Sequence, residues 1–161
     1  MTMDPIRPTD DEARALARRL IHAARHATLG SLDPASGAPL VTRIALQVDR
    51  DGVPLALLSG LAAHTRALMA DPRAGLMITD AEAAKGDPMT HARLSIIARA
   101  EPAPADAARR DLWLARDPKA RVYVDLPDFR FWRLVPQSAL LNGGFGRAFH
   151  LDAQDLLTPG L

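Results

Sequence analysis

The sequence predicts an α+β fold in which six or seven antiparallel strands close, or nearly close, into a barrel with helices at its periphery. Three observations carry that expectation. Short strand-like runs recur from Ala27 to Leu151, with clear apolar–polar alternation from Leu40 to Asp49. Turn formers cut these runs at hairpin spacing, most clearly at Asp51-Gly52 and at Gly143-Gly144-Phe145-Gly146. Helical periodicity is confined to stretches lying before, between and after the strand-like runs.

The first element is a helix from about Asp10 to Arg25. Thr9-Asp10-Asp11-Glu12 has the spacing of a capping box, and Ala13, Leu16, Ala17, Leu20, Ile21 and Ala24 repeat on one face. A short strand, Ala27 to Leu32, ends in the turn-rich Asp33-Pro34-Ala35-Ser36-Gly37-Ala38-Pro39. A long strand from Leu40 to Asp49 follows, and Asp51-Gly52 turns it into a returning strand, Val53 to Ser59. His64 to Ala70 reads as a helix stopped by Asp71-Pro72, and Ala74 to Thr79 as another strand. Past the polar Lys85-Gly86-Asp87-Pro88, a strand runs from His91 to Glu101 and ends at Pro102 and Pro104. A helix from Ala105 to Ala115 carries Asp106 at supportive spacing to Arg109 and Arg110, and Asp117-Pro118 has the form of a helix start. Strands Phe129 to Leu134, Ser138 to Asn142 and Arg147 to Leu151 complete the set, before a short helix near Gln154 to Leu157 capped by Asp152.

Composition narrows the function classes. A hydrophobic share of 48% against 24% charged residues belongs to a folded globular chain, and 161 residues suit one domain spanning 1–161. The formal net charge is +1, and the eighteen arginines are interleaved with aspartates, so no bulk attraction to nucleic acid or to an anionic membrane is expected. There is no cysteine, which removes disulfides, thiolate metal sites and cysteine nucleophiles. No apolar run approaches the ~18 residues of a membrane span, and Met1-Thr2-Met3-Asp4-Pro5 lacks the basic and apolar parts of a leader. The expected location is the cytoplasm.

Candidate chemistry concentrates between Pro39 and Asp80. Arg43 on a strand, Ser59-Gly60 at the end of the next, and His64-Thr65-Arg66 opening a helix together offer a guanidinium, hydroxyls and free backbone N–H groups to a phosphate. Taken singly, Arg43 equally fits an exposed strand charge, and Thr65 and Arg66 an ordinary helix start. His22 and His26 stand four apart on the first helix, but with no third ligand nearby they read as helix surface. No Ser-His-Asp order, paired-carboxylate site or phosphate-binding glycine loop of the Walker type stands out. Only Glu12, Glu82 and Glu101 supply glutamate chemistry.

Several separated motifs, in order, resemble the pyridoxamine 5'-phosphate oxidase-like flavin proteins. They are Thr42-Arg43-Ile44-Ala45-Leu46, the segment Ser59 to Leu68, Asp71-Pro72-Arg73-Ala74, Pro88 to Leu94, Phe129 to Leu134 and Asn142 to Ala148. The last three look most like the branch that includes HugZ-type haem-degrading proteins. The resemblance spans residues 10–155 and implies an FMN-binding split β-barrel working as a homodimer, with FMN at the interface. Carried over by position, Arg43, Ser59, Thr65 and Arg66 would hold the phosphate and ribityl end with His64 close by. Arg93 would lie near the flavin ring, Trp132 at its edge and Arg147 on the ring side. An arginine near N1 and O2 of a reduced flavin stabilises its negative charge, so Arg93, with Arg147 in reserve, is the flavin-tuning candidate. Trp132 equally fits plain core beside Phe129 and Phe131.

Departures from the oxidase matter too. Val48 stands where the enzyme has a substrate-binding Lys, and the region of its other substrate-phosphate contacts reads Leu112 to Ala120, keeping only Arg116. A pyridoxine phosphate dianion would be poorly paired there, so vitamin B6 oxidation is disfavoured. The expectation is an FMN-dependent oxidoreductase acting on an unidentified small molecule or taking hydride from a nicotinamide. The alternatives are a haem-binding or haem-degrading protein, with His150 as axial ligand, and a flavin-binding protein without turnover.

Overall fold

A computed structural model describes residues 5–83 and 85–157; residues 1–4, which bear on the leader expectation, lie outside that range. Its first helix, α1 (Asp11–Ala23), is capped by Asp10, whose carboxylate accepts from the Ala13 N–H at 2.8 Å. The N-cap is therefore Asp10, one residue beyond the expected Thr9, and no reciprocal box forms, since Ala13 has no side-chain acceptor. Thr9 instead donates its hydroxyl to the carbonyl of His150, 141 residues away. Ala13, Ala17, Leu20 and Ile21 form the buried face of α1, and burying each of the two large side chains contributes about 1.5–3 kcal/mol.

Strand β2 (His26–Leu32) pairs with β3 (Pro39–Val48), which turns into β4 (Pro54–Ser59). The turn is closed by Asp49 N–H to the Val53 carbonyl at 2.8 Å, with Gly52 at φ +85°, a region a side chain would resist. β3 and β4 pair only from Leu46–Ala56 to Val48–Pro54, although β3 runs back to Pro39 and β4 on to Ser59. The barrel wall is split there. Helix α2 (Ala63–Ala70) follows β4 directly, and its N-cap residue, Ala62, offers no side-chain hydrogen bond.

Strand β5 (Arg73–Thr79), a 3₁₀ turn at Pro88–Thr90 and β6 (Arg93–Pro102) come next, then α3 (Ala107–Arg116). Asp106 caps α3 through the Arg109 N–H at 3.1 Å. Its side chain does not pair with Arg109 or Arg110 as the spacing predicts: it takes Arg50, while Arg109 pairs with Asp49 and Arg110 with Asp125. A 3₁₀ turn at Pro118–Val122 leads to β7 (Phe129–Asn142). The sequence divides this stretch into two strands around Pro136, yet it is one strand of 14 residues. Ile97 faces Ser138 and Ala98 faces Pro136, so Gln137 bulges out and the ladder absorbs a residue that has no N–H to give.

Strand β8 (Ala148–Asp152) pairs with β7, and α4 (Ala153–Leu156) is held by a reciprocal Asp152–Asp155 capping box. A two-residue strand that the sequence reading misses, β1 (Ile6–Arg7), runs parallel to β8. Strands β7, β4, β3, β2, β5 and β6 close a six-stranded ring, with β8 and β1 extending from β7. Inside lie Leu29, Leu46, Leu76, Leu94, Ile96, Leu134 and Trp132, together with the buried faces of α1 and α2. A second apolar layer, Leu55, Leu57, Trp113, Ala120, Val124 and Phe131, joins the outside of β4 to α3.

Candidate functional site

The outer face of the sheet collects part of the predicted set. Register places Arg43 beside Thr28, Thr28 beside Met77, Met77 beside Ser95, Ser95 beside Leu140, and Leu140 beside His150. At about 4.8 Å per strand, Arg43 and His150 stand some five spacings, roughly 24 Å, apart across this row. One chain therefore offers them as two separate points, not one pocket. Arg93 lies on the same face, two residues along β6 from Ser95, and donates to the carbonyls of Met89 at 3.0 Å and His91 at 3.4 Å. Met77, Ile97 and Leu140 are large apolar side chains exposed on the face.

A second group gathers at the barrel opening beside α2. A cavity of about 320 Å³ is lined by Leu58, Gly60, Thr65, Met69, Asp128 and Trp132, with Arg130 at its edge. Thr65 and Trp132 are 2% and 3% exposed, and neither Thr65 Oγ1 nor Trp132 Nε1 has a hydrogen-bond partner. Thr42 Oγ1, on β3 where the wall parts, is buried and unpaired as well. A buried polar atom left unpaired costs about 1–3 kcal/mol, and Thr65 and Trp132 bring two such atoms to the walls of this cavity. Ser59 Oγ donates to Asp128 at 2.6 Å and accepts from the Leu61 N–H. Because Leu46 faces Ala56, Arg43 and Ser59 occupy matching positions on the two strands that part at the split.

Arg66 is exposed and donates to the Leu61 carbonyl at 2.9 Å, so its guanidinium is turned back onto the loop that opens α2. His64 is half-buried, and burial lowers its pKa, which leaves a neutral imidazole and not a charge beside the helix start. Arg147, in the β7–β8 hairpin, pairs with Glu12 at 3.3 Å. His22 sits in the last turn of α1, whereas His26 is the first residue of β2, so the helical spacing expected of that pair does not exist.

Two residues of the opening escaped the sequence reading. Asp128 anchors both Ser59 Oγ and, through its carbonyl, the Gly60 N–H at 2.6 Å. Arg130 borders this cavity and a neighbouring one of about 670 Å³ floored by Phe129 and Phe131. Nothing local marks either residue; only the pairing of Ser59 with Phe129 brings that loop to the opening.

Comparison with known proteins adds a family and several relatives. The family model for the CREG beta-barrel matches residues 8–157. A solved structure 72% identical to this chain superposes with a TM-score of 0.91, covering 95% of this chain and 100% of its own. The heme binding protein of Mycobacterium smegmatis is 30% identical with a TM-score of 0.82, covering 94% of this chain and 61% of that one. The non-canonical heme oxygenase HOZ, chloroplastic, of Arabidopsis thaliana is 34% identical over 115 residues, which are 70% of this chain and 34% of HOZ. The chain thus spans about a third of HOZ. A member of the pyridoxinephosphate oxidase family from Clostridium acetobutylicum, related to general stress protein 26, is 12% identical with a TM-score of 0.70, covering 92% of this chain and 99% of its own. That last likeness is one of fold. It agrees with the split-barrel expectation.

Proposed function

The chain belongs to the CREG beta-barrel family, and from that premise we propose that it is a haem-binding protein, working as a homodimer whose outer sheet face receives the porphyrin. The observation that carries this reading is the pair of relatives at 30% and 34% identity, one a heme binding protein and the other a heme oxygenase. Haem, rather than FMN, becomes the leading cofactor.

The residues of the outer face suit that group. Met77, Ile97 and Leu140 give an apolar bed, and burying such side chains against a macrocycle is favourable by about 25 cal/mol per Å². His150, exposed beside Leu140, presents an imidazole at one side of the bed. Arg93, two strands from His150 and two residues along β6 from Ser95, would offer a guanidinium to a propionate. A bound haem would supply an iron centre for ligand or oxygen chemistry, tuned by its axial ligand. A second copy of the chain against this face would exclude water from the bed. A cytoplasmic location belongs to the same proposal. Among the described residues no helix is long and apolar enough to cross a membrane.

The test is an absorption titration with haemin. A saturable Soret shift is expected at one haem per chain or per dimer, weakened by His150→Ala and not by His26→Ala. A featureless titration would overturn haem binding, and a His150→Ala spectrum identical to wild type would remove His150 as the ligand.

A second reading, an FMN-binding oxidoreductase, is favoured by one observation: the unpaired hydroxyls of Thr42 and Thr65 and the uncapped start of α2 at the wall's split. There Arg43, Ser59, Thr65 and Arg66 would hold the phosphate, with the flavin supplying the redox chemistry. Quenching of added FMN fluorescence, reduced by Arg43→Gln and Thr65→Val, is its expected signature. No quenching by the wild-type dimer would exclude it.

A further inference from the structure

His150 is exposed on β8, so the direction of its imidazole follows from the backbone that carries it. That strand is held unequally on its two edges. On one it pairs with β7 from Ala148 to Asp152, but on the other β1 covers only Ala148 and Phe149. Where β1 stops, the Thr9 hydroxyl takes over and donates to the His150 carbonyl. Backbone with few fastenings opens locally more often than backbone fixed on both sides. Thr9 therefore braces the strand at the residue that the haem reading requires as a ligand.

The brace is itself rigidly mounted. Asp10, the next residue, caps α1, and α1 is anchored in the core by Ala13, Ala17, Leu20 and Ile21. The same helix fastens both flanks of β8. Before the strand, Glu12 pairs with Arg147 at 3.3 Å, and Leu16 lies so close to Gly143 that a Cβ there would stand 3.3 Å from Leu16 Cδ2. After it, Arg14 Nε donates to the Asp155 carboxylate at 2.6 Å and Arg18 Nε to the Asp155 carbonyl at 2.9 Å, which ties α4 to α1. The Glu12–Arg147 pair is solvated and adds little. The part-buried, charge-assisted bond from Arg14 and the hydroxyl bond from Thr9 carry the hold. Each joins residues 141 apart, so the two segments lie against each other in step.

We propose that residues 6–18 form a splint that fixes the β8 backbone, and that Thr9 is a positioning residue for His150, setting the direction in which its imidazole meets iron. The positioning role rests on the reading of His150 as a haem ligand; the splint stands on the contacts alone. Thr9 acts through the His150 carbonyl and needs no contact with the porphyrin. A ligand held in one direction before haem arrives binds more tightly than one that must be ordered on binding.

The experiment has a haem-free arm and a haemin arm, both on the full chain. In the first, hydrogen exchange read by mass spectrometry follows the amides of β8. Exchange about tenfold faster than wild type is expected in Thr9→Val and in Arg14→Gln, as loss of one hydrogen bond implies. Thr9→Ser, which keeps the donor, should exchange at the wild-type rate, and unchanged exchange in β3 and β4 reports an intact fold. In the second arm, Thr9→Val is expected to bind haemin about fivefold more weakly, with a Soret band moved toward that of His150→Ala, and Thr9→Ser to restore both. A purely structural role for Thr9 would not move the band. Exchange of β8 unmoved in Thr9→Val and Arg14→Gln would overturn the splint, whatever haemin does. Faster exchange with a wild-type Soret band in Thr9→Val, where His150→Ala moves it, would overturn the positioning role. A wild-type titration with no Soret shift would overturn the haem reading and the positioning role with it, while the exchange arm still decides the splint.

Discussion

Helix α3 carries arginines at both of its ends, and the two ends are treated oppositely. Near its start Arg109, 8% exposed, grips the Asp49 carboxylate with two bonds of 3.2 and 3.0 Å. Arg133 joins the same carboxylate, at 2.5 Å, and ties it to Asp51 at 2.8 Å and Glu101 at 3.3 Å. At the other end Arg116 meets only a carbonyl and a neighbouring arginine. The first cluster is neutralised from within and holds α3 to the β3–β4 hairpin. The second has no carboxylate partner among the described residues. Similar side chains on one helix thus separate into an ion-paired fastening and a carbonyl-bound charge, according to whether the fold brings a carboxylate to them.

The largest effect that would sharpen this contrast is Asp49→Ala. It leaves Arg109 buried without its counter-ion, and a loss of about 3–5 kcal/mol in urea unfolding is expected. A loss below about 1 kcal/mol would mean that the cluster is not what fastens the helix. Acid should reproduce part of that loss. Burial pushes the Asp49 carboxyl up, but hydrogen bonds from Arg109 and Arg133 outweigh it and hold the group below its ordinary range. For Asp51 the Arg133 bond is the leading cause of a shift in the same direction. Carboxyls with depressed folded pKa values stabilise fully above their unfolded pKa, near 4, and lose that contribution as pH falls through the folded value. Stability attributable to this cluster is therefore expected to be flat from pH 7 to about 5 and to decline below about 4. The decline should be shallower in Asp49→Asn.

At the C-terminal end of the helix, Arg116→Gln should change unfolding free energy by no more than about 0.5 kcal/mol, because the lost bond to His22 is offset by relief of repulsion from Arg25. A large destabilisation there would erase the distinction between the two ends. The smallest effect belongs to Arg73→Ala. Its pair with Asp71, whose carboxyl is held down to about 2 chiefly by the Arg73 hydrogen bond, is solvated, and no measurable shift of the unfolding midpoint is expected.

Local patterns made most of the barrel legible. Alternation marked β3, and Asp51-Gly52 marked the hairpin that returns as β4, with the glycine where a positive φ is needed. What stayed hidden depends on partners distant in the chain. Pro136 reads as a strand break until the β6 ladder shows a bulge beside it. The spacing of Asp106 to Arg109 and Arg110 looks like helix pairing until Asp49 and Asp125 arrive to take those arginines. The candidate site was legible to the same extent. Arg43, Ser59 and Thr65 follow from one local strand–turn–helix run. Asp128, Arg130 and the Arg25–Arg116 contact are set by tertiary pairing over tens of residues. Asp10, not Thr9, caps α1, and the Thr9 hydroxyl donates instead to the His150 carbonyl in β8.

The chain's two indoles sit in different layers. Trp132 packs inside the ring of strands near the unpaired hydroxyl of Thr65, and Trp113 packs outside it, edge-on to Phe131 with ring centroids 5.5 Å apart. Each region therefore has its own optical reporter: a ligand entering the barrel opening should perturb emission that Trp132→Phe abolishes, and loosening of the layer between β4 and α3 should perturb only what Trp113→Phe removes.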